Sequence, residues 1–92
     1  MANKRENIVL YAITISVDAK GLQCPMPLLK AKQALNKIEI GQSIEIFATD
    51  AGSYKDFQAF VRQSSHELLL AEETAGEFRY IIKKGAIAVR QL

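Results

Sequence analysis

Residues 21–30 read GLQCPMPLLK and hold the chain's only cysteine, set between a glycine and the chain's only two prolines. Apolar side chains follow at intervals of three and four residues, namely Leu28, Ala31, Leu35 and Ile38. This spacing predicts an amphipathic helix over about 25–38. Because the first helical N–H groups have no helical partner, proline is favoured in the first turn. We therefore predict that Pro25 is the first helical residue and that Cys24 lies at or next to the N-cap.

This placement suggests a chemical role for the thiol. Gly21 allows the preceding loop to bend sharply, while Pro25 and Pro27 stiffen the start of the helix. A helix N-terminus favours the thiolate, which is the nucleophilic form of cysteine, over the thiol. The prolines remove two N–H donors, so we expect only a moderately lowered pKa for Cys24. The position lies outside the apolar stripe of the helix, which favours a functional cysteine over a core residue.

The rest of the chain alternates between strand and helix patterns. The predicted strands are 8–18, 42–49, 66–73 and 77–85, and a second helix covers about 54–64. The apolar face of this helix is formed by Tyr54, Phe57, Phe60 and Val61, and Asp50 and Ser53 are both plausible caps. A strand–helix–strand series usually makes parallel neighbours, and the last two strands form a hairpin. We predict a β-α-β-α-β-β order and an α+β fold, a two-layer α/β sandwich. In it, both helices lie on one face of a four-stranded mixed sheet.

The length and composition fit one small domain. The chain has 92 residues, of which 49% are hydrophobic and 24% charged, as is ordinary for a globular protein. We expect a flexible N-terminal extension at 1–7, a single domain at 8–85, and a tail or short edge segment at 86–92. The apolar residues after Lys4 and Arg5 alternate with polar ones, which is a strand pattern rather than a signal peptide.

The charge balance and the cysteine count exclude several classes of protein. The net charge of +2 argues against direct nucleic acid binding, which usually requires a basic stripe. No segment is long enough to cross a bilayer. A lone cysteine allows neither an internal disulfide framework nor a zinc site of several thiolates, and we expect no metal and no cofactor. Because a free thiol persists best in a reducing compartment, the cytoplasm is favoured.

A single thiol also limits the chemistry at Cys24. A dithiol oxidoreductase needs a second cysteine at C-x-x-C spacing, and a cysteine protease needs a positioned base. The only histidine, His66, opens the third predicted strand, where we expect a partly exposed residue rather than a catalytic base. A carrier needs only an exposed nucleophile, and a persulfide is a reversible modification of cysteine.

Three stretches resemble one known family. DAKGLQCPMPLLKAKQAL (18–35) is similar to the C-P-x-P signature of TusA/SirA-like sulfur carriers. IFATDAGSYKDFQAF (46–60) resembles the family's second strand, acidic loop and second helix. HELLLAEETAGEFRYIIKKG (66–85) resembles its closing hairpin. The resemblance covers about residues 14–85, in the family's order.

The resemblance implies a function and a set of partners. It implies a persulfide on Cys24, with Gly21, Pro25 and Pro27 supporting the start of the helix. The chain would then be a sulfurtransferase-type carrier. It would load from a cysteine desulfurase or a rhodanese-type donor and deliver sulfur to an acceptor protein. Family members serve tRNA thiolation, thiosulfate use, sulfur oxidation, molybdenum-cofactor supply or selenium metabolism. The implied fold resembles the C-terminal domain of a bacterial translation initiation factor.

Other residues near the motif are candidates for partner docking. Met26 occupies the x of C-P-x-P, where TusA itself has an acidic residue, so the partner could differ. Lys30 and Asp50 are further docking candidates, although Asp50 could instead cap the second helix. Asp56 also matches an acidic family position, but we expect it to lie on a solvated helix face.

Two other classes of function remain open at this point. A non-catalytic protein- or nucleic-acid-interaction module could use the lysines of the first helix and the exposed sheet face, although these lysines are better explained as a solvated face. Such a module would not need Cys24. A stand-alone thiol enzyme, such as a peroxidase or a reductase, would need a second molecule to supply its resolving cysteine.

Overall fold

A computed structural model describes residues 12–86 of the chain. The elements follow the predicted order: β1 Ile13–Ala19, α1 Met26–Asn36, β2 Ser43–Ala48, α2 Ser53–Arg62, β3 Glu67–Thr74 and β4 Glu77–Lys83. The predicted element types are therefore confirmed. Most helix and strand ends differ from the predicted ones by one or two residues, as expected where periodicity fades.

The four strands form one mixed sheet in the order β1-β2-β4-β3. β1 and β2 are parallel, with Val17 opposite Ile46. β4 is antiparallel to both β2 and β3. Because β1 and β2 are parallel, their carboxyl ends, and the loops that leave them for α1 and α2, lie at the same edge of the sheet.

The core lies between one face of the sheet and both helices. β2 contributes Ile44, Ile46 and Ala48, which are all fully buried. They belong to one hydrophobic cluster with Leu35 of α1 and Phe57 of α2. This confirms the predicted two-layer sandwich, because alternate residues of a strand share a face and both helices pack against that face.

The opposite face of the sheet carries a small ion-pair network. Arg79 Nε donates to Glu45 Oε2 at 2.7 Å, and Arg79 Nη1 donates to Glu72 Oε2 at 3.4 Å. These bonds raise the pKa of the Arg79 guanidinium. Ile81 lies between the core residues Tyr80 and Ile82 and therefore on this opposite face, yet it is fully buried.

Three local predictions were wrong. Tyr54, predicted on the apolar face of α2, is 45% exposed. Pro25 is the N-cap of α1 rather than its first helical residue, while Cys24 lies next to the N-cap, as predicted. Neither Asp50 nor Ser53 caps α2, because the N-cap is Gly52 and no side-chain hydrogen bond caps the helix.

Several predictions fall on residues that are not described. These are the extension at 1–7, the first part of the predicted 8–18 strand, and the tail at 86–92 apart from Ala86. The assignment of 8–85 to a single domain stays a prediction. Between residues 12 and 86 no helix has the length and apolar character needed to span a membrane.

Candidate functional site at the Cys24 loop

The candidate site lies where β1 and β2 end. The loop that follows β1 carries Cys24, and the loop that follows β2 carries Asp50. In open α/β sheets, ligands commonly bind outside the carboxyl ends of parallel strands. The topology thus brings together two segments that are far apart in sequence.

The backbone of the first loop is tied to the sheet. Gly21 has φ +85°, a left-handed conformation that glycine adopts without strain. Its N–H donates to Thr49 Oγ1 at 2.9 Å, and the N–H of Leu22 donates to the carbonyl of Ala19 at 3.2 Å. These bonds hold the loop that carries Cys24 against the end of β2.

The two prolines hold the loop on the helix side. Pro27 is fully buried in the first turn of α1, as predicted for a proline there. Pro25 is exposed, and the peptide bond that joins it to Cys24 is cis. The N–H of Leu29 closes the first helical turn by donating to the carbonyl of Pro25 at 3.1 Å.

The start of α1 offers the thiol few hydrogen-bond donors. Pro25 and Pro27 have no N–H. The N–H of Met26, which lies between them, already donates to the carbonyl of Gln23 at 2.8 Å. The dipole of α1 therefore acts on Cys24 without the direct amide contacts that usually stabilise a thiolate at a helix N-terminus.

The thiol instead contacts a carboxylate. Cys24 is exposed, and its Sγ donates to Asp56 Oδ2 at 2.6 Å. This hydrogen bond, followed by desolvation and by the negative charges of Asp56 and Asp50, raises the pKa of the Cys24 thiol. The predicted lowering of this pKa was wrong, because nearby carboxylates disfavour the thiolate more than the helix favours it.

Asp56 is the site residue that sequence reasoning missed. It lies in the first turn of α2, and we predicted it to lie on a solvated helix face. Its contact with Cys24 spans 32 residues of sequence. No local sequence pattern predicts such a contact, because it depends on how α1 and α2 pack over the sheet.

Asp50 has a structural and an electrostatic role. Its Oδ2 accepts the N–H of Gly52 at 3.0 Å, and its main-chain carbonyl accepts the N–H of Ser53 at 3.0 Å. It thus shapes the turn into α2 without capping the helix. Its charge is also one of the causes of the raised Cys24 pKa.

Exposed apolar side chains lie on the two helices that flank the thiol. Met26 begins α1 and is 42% exposed, and Leu29 lies one turn further on and is 41% exposed. Tyr54, at the start of α2, is exposed as well. We call Met26, Leu29 and Tyr54 the apolar rim.

Lys20 and Lys30 contact other parts of the protein. Lys20 Nζ lies 3.5 Å from Glu77 Oε2 and 5.7 Å from the Phe47 ring centroid. Lys30 lines a shallow groove between α1 and β1, together with Ile15 and Lys37. The charges that act on the Cys24 thiol are instead those of Asp56 and Asp50, and both raise its pKa.

His66 stabilises the end of the β3–β4 hairpin. Its Nδ1 accepts the N–H of Gly85 at 3.0 Å, and its ring lies 5.5 Å from the ring of Phe60. Burial and the charge of Lys84 lower the pKa of His66. Within 12–86, no three His, Cys, Asp or Glu residues are grouped so that they could hold a metal ion.

Comparison with known proteins agrees with this fold. The family model described as "Sulfurtransferase TusA" matches residues 15–84. The chain is 48% identical over 68 residues to "Sulfur carrier protein TusA" of Allochromatium vinosum, covering 74% of this chain and 90% of that protein. A crystal structure of a SirA-like protein from Desulfitobacterium hafniense matches 79% of this chain and 100% of its own, with a TM-score of 0.61 and 28% identity. The chain therefore belongs to the TusA family.

Proposed function

We propose that this protein is a sulfur carrier that holds transferable sulfur as a persulfide on Cys24. The observation that supports this most directly is the exposed Cys24 thiol on a loop that is tied to the sheet on one side and to a helix on the other. The matching relative from Allochromatium vinosum is named a sulfur carrier, and the matching segment includes this loop.

The proposed chemistry is a sulfane transfer in two steps. Cys24 attacks the outer sulfur of a donor persulfide, a Cys24–S bond forms, and the donor S–S bond breaks to leave a donor thiol. An acceptor thiol then attacks the outer sulfur on Cys24 and regenerates the free thiol. Each step exchanges one S–S bond for another, so no external oxidant or reductant is needed.

Two protein partners follow from this chemistry. The donor would be a cysteine desulfurase or a rhodanese-type protein, and the acceptor another protein of a sulfur pathway such as tRNA thiolation. The apolar rim, which includes Met26, and the nearby charge of Asp50 offer both partners a surface near the thiol. A reducing compartment, the cytoplasm, suits a carrier with one free thiol.

Lys30 is a weaker docking candidate than Met26 and Asp50. It is half-buried and lines the groove between α1 and β1 rather than the apolar rim. We propose that Lys30 contributes long-range attraction at most, which would appear as a dependence of association on salt concentration.

Intact-mass spectrometry tests the proposed function. Wild type and Cys24→Ser are incubated with a cysteine desulfurase and free cysteine, and a parallel sample receives thiosulfate and a rhodanese. We expect wild type to gain one sulfur atom that a reductant removes, and Cys24→Ser to gain none. If neither donor loads wild type while Cys24 still reacts with a thiol reagent, the carrier function is wrong and a non-catalytic interaction module is the better account.

A further inference from the structure

The Cys24 thiol is hydrogen-bonded to a carboxylate that could accept its proton. Asp56 Oδ2 lies 2.6 Å from Cys24 Sγ, and the thiol is the donor because a carboxylate can only accept. A nucleophilic thiol must lose this proton before or during attack. The carboxylate is already in hydrogen-bond contact with the proton that has to leave.

We propose that Asp56 is the proton acceptor for Cys24 during persulfide transfer, a catalytic role that rests on the proposed function. Asp56 Oδ2 takes the thiol proton as Cys24 Sγ attacks the outer sulfur of the donor. The same proton then passes to the donor sulfur, which leaves with the electron pair of the broken S–S bond. The carboxylate is restored, and the cycle leaves Asp56 unchanged.

The atoms and electrons of this step balance. With a small donor such as glutathione persulfide, Cys24–SH and GS–SH give Cys24–S–SH and GSH. The Cys24 sulfur rises by one oxidation level, and the donor sulfur falls by one. The outer sulfur moves between them, and the proton of the Cys24 thiol ends on glutathione.

The electrostatics of the site make such an acceptor useful. The hydrogen bond to Asp56, desolvation and the charges of Asp56 and Asp50 raise the pKa of the Cys24 thiol, so little free thiolate exists near neutral pH. A path through a pre-formed thiolate is therefore slow. An acceptor in contact allows the proton to leave in the same step as the attack, as in general base catalysis.

Other titratable groups are poorly placed for this role. Asp50 acts on Cys24 through its charge, while its Oδ2 is bonded to the N–H of Gly52. His66 is bonded to Gly85. Lys20, on the strand side of the loop, is paired with Glu77.

The test measures two rates on the same four proteins: wild type, Asp56→Asn, Asp56→Glu and Glu67→Gln. The first is the rate of sulfur loading from glutathione persulfide, which is too small to depend on a docking surface. The second is the pH profile of alkylation by iodoacetamide, which reports the thiol pKa without any sulfur transfer. Circular dichroism checks folding, and Asp56→Ala replaces the Asn variant if that variant does not fold.

We expect the two rates of Asp56→Asn to change in opposite directions. Its alkylation profile moves to lower pH, because the carboxylate that raises the Cys24 pKa is removed. Its loading slows by about tenfold to a hundredfold, since general base catalysis commonly contributes that much or more. Asp56→Glu recovers most of the loading rate. Glu67→Gln, the matched control, replaces an exposed carboxylate at the start of β3 and should change neither rate.

The outcomes separate the two proposals. If Asp56→Asn loads as fast as wild type or faster, Asp56 is not the proton acceptor, although the carrier function stands. If wild type never loads from this donor or from a protein donor, the carrier function fails and the role of Asp56 fails with it.

Discussion

At the scale of single residues, Cys24 shows how a thiol depends on its immediate donors and acceptors. Its neighbours along the chain suggested an activated cysteine at a helix N-terminus. In that turn two positions are proline, and the N–H of Met26 is engaged by Gln23. The nearest polar partner is Asp56, a carboxylate that holds the thiol in its protonated form.

The raised pKa of Cys24 predicts slow alkylation of the folded protein. At pH 8, an unfolded cysteine with a pKa of about 8.5 is partly ionised, whereas the folded thiol is ionised less. We expect iodoacetamide to modify native Cys24 more slowly than the same residue in urea. Because Cys24 is the only cysteine, the intact mass reports this rate directly. Faster alkylation of the native protein would contradict the raised pKa.

The raised pKa of Cys24 also makes the stability of the fold depend on pH. A group whose pKa is raised on folding stabilises the native state below its unfolded pKa and loses that contribution as pH rises through the folded value. The Cys24–Asp56 pair therefore supports the native state at neutral pH and stops doing so in alkaline solution, where the thiol ionises beside two carboxylates.

Gly85 is a second residue whose environment is set by tertiary structure. A Cβ added there would lie 1.9 Å from the carbonyl oxygen of Ser65. The clash would also disturb the bond from the Gly85 N–H to His66. We expect Gly85→Ala to lower the free energy of unfolding by about 2 kcal/mol, a typical cost of steric strain. Urea denaturation measures it, with Ala86→Ser at the exposed neighbouring position as a control that should change little.

At the scale of elements, the position of α2 decides whether Asp56 reaches the thiol. Phe57 of α2 stacks on Tyr80 of β4 with ring centroids 4.5 Å apart. One position before Tyr54, the buried Ser53 hydroxyl bonds to the Tyr80 hydroxyl at 2.7 Å. These contacts fix the start of α2 over the sheet, and the orientation of Asp56 follows from them.

The Ser53–Tyr80 bond can be tested by a double-mutant cycle. Tyr80→Phe leaves the buried Ser53 hydroxyl without its partner and should cost about 1–3 kcal/mol of unfolding free energy. Removing both hydroxyls, in Tyr80→Phe with Ser53→Ala, should cost less than the sum of the single changes. Urea denaturation measures all three variants, and Tyr54→Phe on the exposed face is the matched control. Additive costs would mean that the two hydroxyls do not interact.

At the scale of the whole molecule, the end of the sheet that carries the thiol is distinct from the opposite end. The thiol end holds the Cys24 loop, Asp50 and Asp56, while the other end is tied together by His66 after α2 and by Gly85 after β4. This separation means that changes at the His66 end should alter stability without altering the chemistry of Cys24.

His66 should make the stability of the fold fall in mild acid. Its pKa is lowered on folding by burial and by Lys84, so protonation favours the unfolded chain. The contribution of neutral His66 is complete above its unfolded pKa of about 6.5 and is lost as pH falls below that value. We expect the free energy of unfolding from urea titrations to decrease between pH 7.5 and pH 5.5.

His66→Asn is the control for this pH dependence. Its side-chain oxygen can still accept a hydrogen bond at that position, and it does not titrate. The decrease between pH 7.5 and 5.5 should flatten in this variant, even if its stability is lower at every pH. If the unfolding free energy of His66→Asn decreases as steeply as that of wild type, groups other than His66 cause the pH dependence.

Local patterns predicted the elements well. Apolar spacing at Ala31, Leu35 and Ile38 reflects which side of α1 faces the core, and the alternation at Ile44 and Ile46 reflects the two faces of β2. Periodicity is a direct consequence of burying one face, so element type and the two-layer arrangement could be predicted. Tyr54 was misplaced because a large side chain at the end of such a stripe can also lie beyond the edge of the core.

The sequence by itself determined the β-α-β-α-β-β order, the exposed cysteine before α1 and the membership in the TusA family. Only the tertiary structure decided the electrostatics of that cysteine. The pKa of a thiol depends on charges within a few ångströms, and the decisive charge, Asp56, is 32 residues away along the chain. Helix dipoles and prolines can be recognised from local sequence, whereas the packing of α2 beside α1 arises only when the whole sheet has formed.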